Sequence, residues 1–262
     1  MLGPSLLSLE AIPTLLRQGR QSGLPAETQN YSAYLDGASD RIQGAGMSTT
    51  WLKVWDTNQD FSIHFSVKLD ALNSTISFTG TSTDYFWITV NSSGQLVVQA
   101  AIGSVSVGYY TFDTSFVADT WYDIMLTSSA ASLSRTLNLY VNSVSTDALN
   151  IGATFLRTTD IAAIAGKFTM GTFLNIVDYD FRIDRLYSWS SVLTQAEITE
   201  IYNNYPDLTA DSGNYASSSN LETYYKIEEG SGTTMSDSSG NSNGDLTVVN
   251  ATGNFWSTDT RI

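Results

Sequence analysis

Alternating side chains in the stretch FSIHFSVKL, residues 61–69, constrain the fold of this chain most strongly. Its odd-numbered positions are all apolar, and its even-numbered positions are Ser, His, Ser and Lys. Successive side chains of a β-strand point to opposite faces, so this period of two predicts a strand with one apolar and one polar face. The same alternation recurs within 86–90, 122–126 and 137–141. Strands of this kind predict antiparallel sheets that pack on their apolar faces as a β-sandwich.

The charge of the chain excludes two classes of partner. Its 262 residues suffice for one large all-β domain or two small ones, and its formal net charge is −14. Binding to nucleic acid requires clustered Lys and Arg, which the sequence lacks, and an anionic membrane surface would repel so acidic a protein. We therefore expect no nucleic acid and no membrane among its partners.

The sequence carries no export or membrane signal that we recognise. Pro4, Glu10 and Pro13 interrupt the apolar N-terminal residues and no cation precedes them, so we expect no signal peptide. No apolar run approaches the ~20 residues of a transmembrane segment. There is no cysteine, so the fold needs no oxidation to mature. A surface built from Ser, Thr and Asn without export favours a virion protein assembled in the host cytoplasm.

Residues 1–30 precede the alternating region and are predicted to form a separate arm. Pro13 prevents one uninterrupted helix, and residues 21–30 read as a linker. The arm either folds back on its own domain or docks on a neighbouring subunit. Its predicted docking residues are six apolar and two cationic side chains: Leu6, Leu7, Leu9, Ile12, Leu15, Leu16, Arg17 and Arg20.

One short helix is predicted over about 194–204. Thr194 suits the N-cap, Glu197 is the N3 partner of a capping box, and Leu193 and Ile198 occupy the positions of a hydrophobic staple. Asparagines and Pro206 end the pattern. We expect this helix to lie over one open end of the sandwich.

The order and spacing of four motifs resemble the laminin-G-like, concanavalin A-like lectin/glucanase jelly-roll family. The motifs are SAYLDGASDRI (32–42), FSIHFSVKL (61–69), TWYDIMLT with LNLYVNS (120–143) and IDRLYSWSSVLTQAEI (183–198). The resemblance covers about residues 31–256. It implies an all-β fold, an antiparallel jelly-roll β-sandwich with one short helix and an N-terminal arm.

Two departures from the family pattern lead to specific expectations. Ser143 stands where the family usually has a turn glycine, so we expect a wider hairpin there. The segment EEGSGTTMSDSSGNSNG, which normally precedes the first strand, here comes near the end. We expect strands at 224–227 and 246–249 to pair with edges that the first strand leaves open, so that 31–262 forms one domain closed by 224–250. Completion of a neighbouring copy by the same segment is the alternative.

The sequence offers little for catalysis. Glycanases on this fold present Glu-x-Asp-x-(x)-Glu on one strand to supply the two carboxylates of retaining hydrolysis, and that spacing is absent. His64 is the only histidine, and we expect it on the polar face of its strand. Asp178, Asp180 and Asp184 with Arg182 are expected to form a solvated face. We therefore predict that the protein is not an enzyme.

Two kinds of ligand are left open. Calcium is the natural metal for this fold, and Asp36 and Asp40 are the candidate ligands, although both also suit turn capping. Carbohydrate binding needs exposed aromatic side chains, and Trp87, Tyr140 and Tyr224 fall out of phase with the apolar residues of their strands. Each is either a sugar platform or a packing residue.

Our main functional expectation is a non-enzymatic structural protein of a tailed-phage virion, either capsid decoration or tail-associated. The resemblance implies this context, with other virion proteins and further copies of the chain as partners in an oligomer or lattice. The alternative is a receptor module of a tail fibre or spike that binds a cell-surface glycan. A glycan-cleaving enzyme is the third hypothesis.

Overall fold

The computed structural model describes eleven stretches of the chain, and the statements below concern these stretches. They are residues 29–36, 40–44, 60–80, 85–102, 104–129, 137–146, 148–149, 167–171, 180–241, 243–250 and 255–261. The predicted docking residues of the arm lie outside them. No helix in these stretches is long and apolar enough to cross a bilayer.

The described chain is built almost entirely from antiparallel strands. In chain order the strands are β1 (Ser32–Asp36), β2 (Arg41–Gly44), β3 (Phe61–Leu69), β4 (Ser74–Gly80), β5 (Tyr85–Val90), β6 (Leu96–Ile102), β7 (Val105–Phe112), β8 (Trp121–Ser128), β9 (Leu137–Val141), β10 (Val144–Thr146), β11 (Ala148–Leu149), β12 (Lys167–Gly171), β13 (Asp180–Trp189), β14 (Leu221–Tyr225), β15 (Thr234–Met235), β16 (Leu246–Val249) and β17 (Trp256–Ser257). One α-helix, α1 (Gln195–Asn204), and one 3₁₀ turn, Ser218–Asn220, accompany them.

The strands form two sheets. Sheet A has the order β10-β9-β8-β3-β13-β1-β17, and β14 pairs with the remaining length of the β13 edge that β1 leaves open. Sheet B has the order β11-β7-β6-β5-β4-β12-β2-β16-β15. The predicted all-β antiparallel jelly-roll sandwich with one helix is confirmed.

The core lies between the inner faces of the two sheets. The alternating apolar residues of β3 are between 0% and 4% exposed, and they pack with those of β5 from the opposite sheet. Burial of each such side chain stabilises the fold by roughly 1.5–3 kcal/mol. The period of two in the sequence therefore identified the face of β3 that points into the core.

The C-terminal strands join both sheets. In sheet A β14 pairs with β13 and β17 pairs with β1, whereas in sheet B β16 pairs with β2. The strand expected at 224–227 is β14, which begins at Leu221 and ends at Tyr225. It ends earlier than expected because Ile227, with φ of 57°, has left the extended conformation.

Helix α1 has the predicted cap but a different location. Thr194 accepts a hydrogen bond from the Glu197 backbone N–H, and the Glu197 carboxylate accepts one from the Thr194 N–H, which completes the capping box. Ile198 and Ile201 are buried in a second apolar cluster with Tyr187. Tyr187 and the other sheet residues of that cluster alternate with the core residues of their strands. The helix therefore covers the outer face of sheet A, and the prediction that it lies over an open end was wrong.

The hairpin between β9 and β10 is tighter than the sequence suggested. Val141 pairs directly with Val144, which leaves a turn of two residues, Asn142 and Ser143, with φ of 51° and 64°. Two consecutive left-handed residues define a type I′ turn, whose twist matches that of the strands. The wider loop predicted from the missing glycine was wrong because Ser143 adopts the conformation that glycine would have taken.

We expect Ser143→Gly to stabilise the protein by about 1 kcal/mol, because a serine side chain in the left-handed region costs energy that glycine avoids. Urea denaturation measures the change. Ser145→Gly is the matched control: Ser145 lies in β10, where glycine should destabilise. Equal effects of the two substitutions would contradict this explanation.

Candidate functional site

The outer faces of the two sheets differ in how far other parts of the chain cover them. Sheet A is covered on its outside by α1 and by the segment that follows it, whereas the outward side chains of β5 in sheet B are half-buried. A ligand requires an accessible surface. The search for a site therefore concerns two regions, the polar groups beneath α1 and the outer face of sheet B.

A buried group of charges, here called the Asp123 cluster, lies on the outer face of sheet A. Its members are His64, Asp123, Tyr205 and Arg261. The Asp123 carboxylate contacts His64 Nε2 at 2.8 Å, accepts a hydrogen bond from the Tyr205 hydroxyl at 2.8 Å and pairs with Arg261 Nε at 2.7 Å. His64 points away from the core, on the polar face of its strand as predicted, but it is only 2% exposed. Helix α1 covers the face on which His64 lies.

Asp184 forms a second buried ion pair beside the Asp123 cluster. Its carboxylate accepts hydrogen bonds from Arg185 Nη1 at 3.2 Å and from the Arg261 backbone N–H at 2.9 Å. Burial raises the pKa of Asp184 to about 6, against the opposing influence of Arg185. The predicted solvated face was wrong for Asp184, which is completely buried, while Asp180 and Arg182 are half-buried. Asp178 lies outside the described residues.

Tyrosine and arginine side chains join these charges to the helix. Tyr205 ends α1 in a left-handed conformation, with φ of 41°, where glycine is the usual residue. The Arg185 guanidinium lies 3.7 Å from the centre of the Tyr205 ring, and Arg261 lies 4.4 Å from that of Tyr202. These contacts bind the C-terminal segment and the end of α1 to sheet A.

The Asp123 cluster resembles a catalytic His–Asp pair only in composition. The small pocket beside it is lined by His64, Asp123 and Tyr140 among others, and its free volume is about 10 Å³. That is room for about one water molecule. Burial also lowers the pKa of His64, against the opposing effect of Asp123. We conclude that the cluster stabilises the structure and has no room for an organic substrate.

The outer face of sheet B presents a different kind of surface, which we call the sheet B patch. It comprises Tyr85 and Trp87 on β5, Gln99 on β6 and Tyr109 on β7. Trp87 pairs with Gln99, and Gln99 with Tyr109, so these three form a row across neighbouring strands. All four side chains are half-buried, which leaves part of each accessible.

Two aromatic rings dominate the sheet B patch. The ring centres of Tyr85 and Trp87 are 5.2 Å apart with 41° between their planes, and Gln99 Nε2 donates to the Tyr85 hydroxyl at 3.4 Å. The Trp87 indole Nε1 is itself buried and finds no hydrogen-bond acceptor within the described part of the chain. The patch thus combines ring faces with amide and hydroxyl groups, which suits a ligand with both apolar faces and hydroxyls.

The three predicted sugar-binding aromatics do not lie together. Trp87 belongs to the sheet B patch, but Tyr140 and Tyr224 lie on sheet A in the apolar cluster beneath α1. Tyr224 is 1% exposed and packs edge-on against Tyr187, with ring centres 5.0 Å apart, so it cannot stack on a sugar. The sequence correctly predicted that all three side chains point away from the core. It did not predict that α1 covers the face on which Tyr140 and Tyr224 lie.

The structure offers no described metal site at the predicted calcium ligands. Asp40 is 1% exposed, and Asp36 is half-buried at the end of β1. Within the described stretches, no group of three or more His, Cys, Asp or Glu side chains is placed to hold a metal ion. The intervening residues 37–39 are not described.

Architecture and surface together define a jelly-roll β-sandwich with an aromatic patch on one outer face. The family model of the Concanavalin A-like lectin/glucanases superfamily (laminin G type) matches residues 30–199. The chain belongs to this family.

Solved structures with the same fold have distant sequences. A candidate carbohydrate-binding protein of Bacteroides ovatus matches with 14% identity and a TM-score of 0.52, covering 83% of this chain and 57% of that one. The receptor-binding domain of botulinum neurotoxin D matches with 14% identity and a TM-score of 0.50, covering 66% of this chain and 43% of that one. This chain therefore spans little more than half of the first structure. No curated protein matches the sequence.

His64 and Asp184, both buried, predict opposite pH dependences of stability. The lowered pKa of His64 means that the unfolded chain binds the proton more readily than the folded protein does. The stability that neutral His64 gives the folded protein is therefore lost as the pH falls below about 6.5. The raised pKa of Asp184 means that the folded protein binds the proton more readily, so its contribution is lost as the pH rises towards about 6.

Relative to the wild type, His64→Gln should therefore gain stability on acidification from about pH 7.5 to about pH 4.5, and Asp184→Asn should lose it. The urea midpoints of the three proteins across this range measure both effects. Differences that stay constant with pH would contradict the assignment of these buried ionisation states.

Proposed function

We propose that this protein is a non-enzymatic glycan-binding module and that the sheet B patch is its binding surface. The observation that carries the proposal is the row of half-buried Trp87, Gln99 and Tyr109 on the outer face of sheet B, with Tyr85 beside it. Aromatic rings pack against the apolar faces of sugars, and amide and hydroxyl groups bond to their hydroxyls. Membership in a lectin/glucanase family supports the same interpretation.

The composition of the strands supports binding without catalysis. Glycoside hydrolysis requires two carboxyl groups about 5–10 Å apart across the sugar. Strands β5, β6 and β7, which form the patch, contain no Asp or Glu. The buried carboxylate of the Asp123 cluster lies on the other sheet, beneath α1.

Trp87→Ala should weaken glycan binding about thirtyfold, because loss of a central aromatic contact costs about 2 kcal/mol. Titration calorimetry with a glycan identified on an array of immobilised glycans measures the change. Tyr140→Ala is the matched control, since Tyr140 also lies half-buried on an outer face, but beneath α1. A larger loss in Tyr140→Ala than in Trp87→Ala would place the site on sheet A and contradict the proposal.

The virion role is a separate and finer proposal. Composition and family resemblance motivate it, and its key segment, the predicted arm, lies outside the described residues. At the boundary of that segment, Gln29 Nε2 donates to the carbonyls of Asp184 and Lys226, which fixes the start of the described domain on sheet A.

Deletion of residues 1–28 should therefore leave a folded sandwich, with a thermal midpoint near that of the full chain, that no longer joins a particle. Co-sedimentation with assembled particles measures incorporation. Normal incorporation of the shortened chain would contradict the docking role of the arm.

A further inference from the structure

The part of the chain that forms the sheet B patch is almost free of charge. Residues 71–112 include β4, β5, β6 and β7 and contain a single charged residue, Asp84, whereas 15% of the whole chain is charged. The strands themselves contain no Asp, Glu, Lys, Arg or His. These four strands are thus uncharged within a protein of net charge −14.

The cationic positions of sheet B lie away from the patch. Lys167 on β12 is two strands from β5, and Arg41 on β2 is three strands from it. At about 4.8 Å per strand these separations are about 10 and 14 Å. Both backbone positions therefore lie outside the strands that carry the patch.

The cations of sheet A are already paired with carboxylates of the same domain. The pairs are Lys68 with Asp259, Arg182 with Asp70, Arg185 with Asp184, and Arg261 with Asp123. They lie on the outer side of sheet A or at its edge, across the core from the patch. None of these four groups is therefore available to a ligand on sheet B.

Recognition of an anionic sugar requires a nearby cation. A carboxylate or sulfate pairs best with Arg or Lys through charge-assisted hydrogen bonds, and burying an anion without such a partner is costly. The negative net charge of the protein adds a long-range repulsion of anions. Neutral sugars need only ring faces and hydrogen-bonding groups, which the patch provides.

We infer that the sheet B patch selects uncharged glycans and discriminates against sialylated, sulfated and uronic acid-containing ones. This inference rests on the proposed function and specifies its ligand class. The ligand contacts a row about 10 Å long, from Trp87 across Gln99 to Tyr109, which is two strand spacings.

The experiment compares chemically matched glycans on the full-length chain. The array carries neutral members, including lactose and cello- and xylo-oligosaccharides, beside charged ones, including sialyllactose, polygalacturonate and sulfated galactose. We expect at least about tenfold tighter binding of neutral members, with little change between about 20 and about 150 mM salt, because no ion pair forms.

The possible outcomes distinguish failure of the inference about charge from failure of the proposed glycan binding itself. Tighter binding of the charged members, weakening with salt, would overturn the inference and leave glycan binding itself established. Binding of no member at all would overturn the proposed function, and the inference with it.

A charge introduced into the patch tests its location. Gln99→Lys should raise the affinity for sialyllactose relative to lactose at least about fivefold, because it supplies a cation that strands β4 to β7 lack. Thr247→Lys is the matched control, since Thr247 lies in the same register row of sheet B, with Gln43 and Thr169 between it and β4. If the two variants behave alike, the ligand does not occupy this patch and the inference fails.

Discussion

Each strand of a two-sheet sandwich must satisfy two environments at once, because alternate side chains point to opposite faces. The inner faces of this protein share one requirement, the filling of a common apolar core, and β3 and β5 meet it with uninterrupted alternation. The outer faces carry no such common requirement.

Sheet A uses its outer face to hold other parts of the chain. Helix α1 and the C-terminal segment cover polar and charged groups, and each buried carboxylate finds several partners there. A buried charge is tolerated only when its partners are well placed, because loss of one partner leaves an unpaired charge in a medium of low polarity. Helix α1 and the C-terminal segment are thus held on sheet A by buried ion pairs and hydrogen bonds, and separating these partners would cost much free energy. Sheet B has no described charge of this kind on its central strands, and the side chains of Trp87, Gln99 and Tyr109 on its outer face are half-buried.

Local patterns in the sequence predicted the elements of the fold well. The alternation of 61–69 matches β3 residue for residue, and the capping box predicted at Thr194 and Glu197 is present. Such features depend on neighbours in sequence, which a single chain displays directly. The family motifs added the order of the elements.

Features that depend on distant contacts were predicted less well. Tyr224 and His64 have the phase of outward-facing residues, and they do face outward from sheet A, but α1 buries them. Nothing near either residue indicates that a helix more than a hundred residues after His64 returns to cover it. The companions of Trp87 were missed for a different reason. Tyr85 lies two residues before Trp87 on the same strand face, but Gln99 and Tyr109 join them only through strand register, which sequence spacing does not fix.

Because Thr260 donates to the Gln29 carbonyl, both ends of the described chain leave from the sheet A side. A carrier fused to the C-terminal end, one residue beyond Arg261, or a solid support attached there, would consequently hold the molecule with Trp87 turned towards the medium.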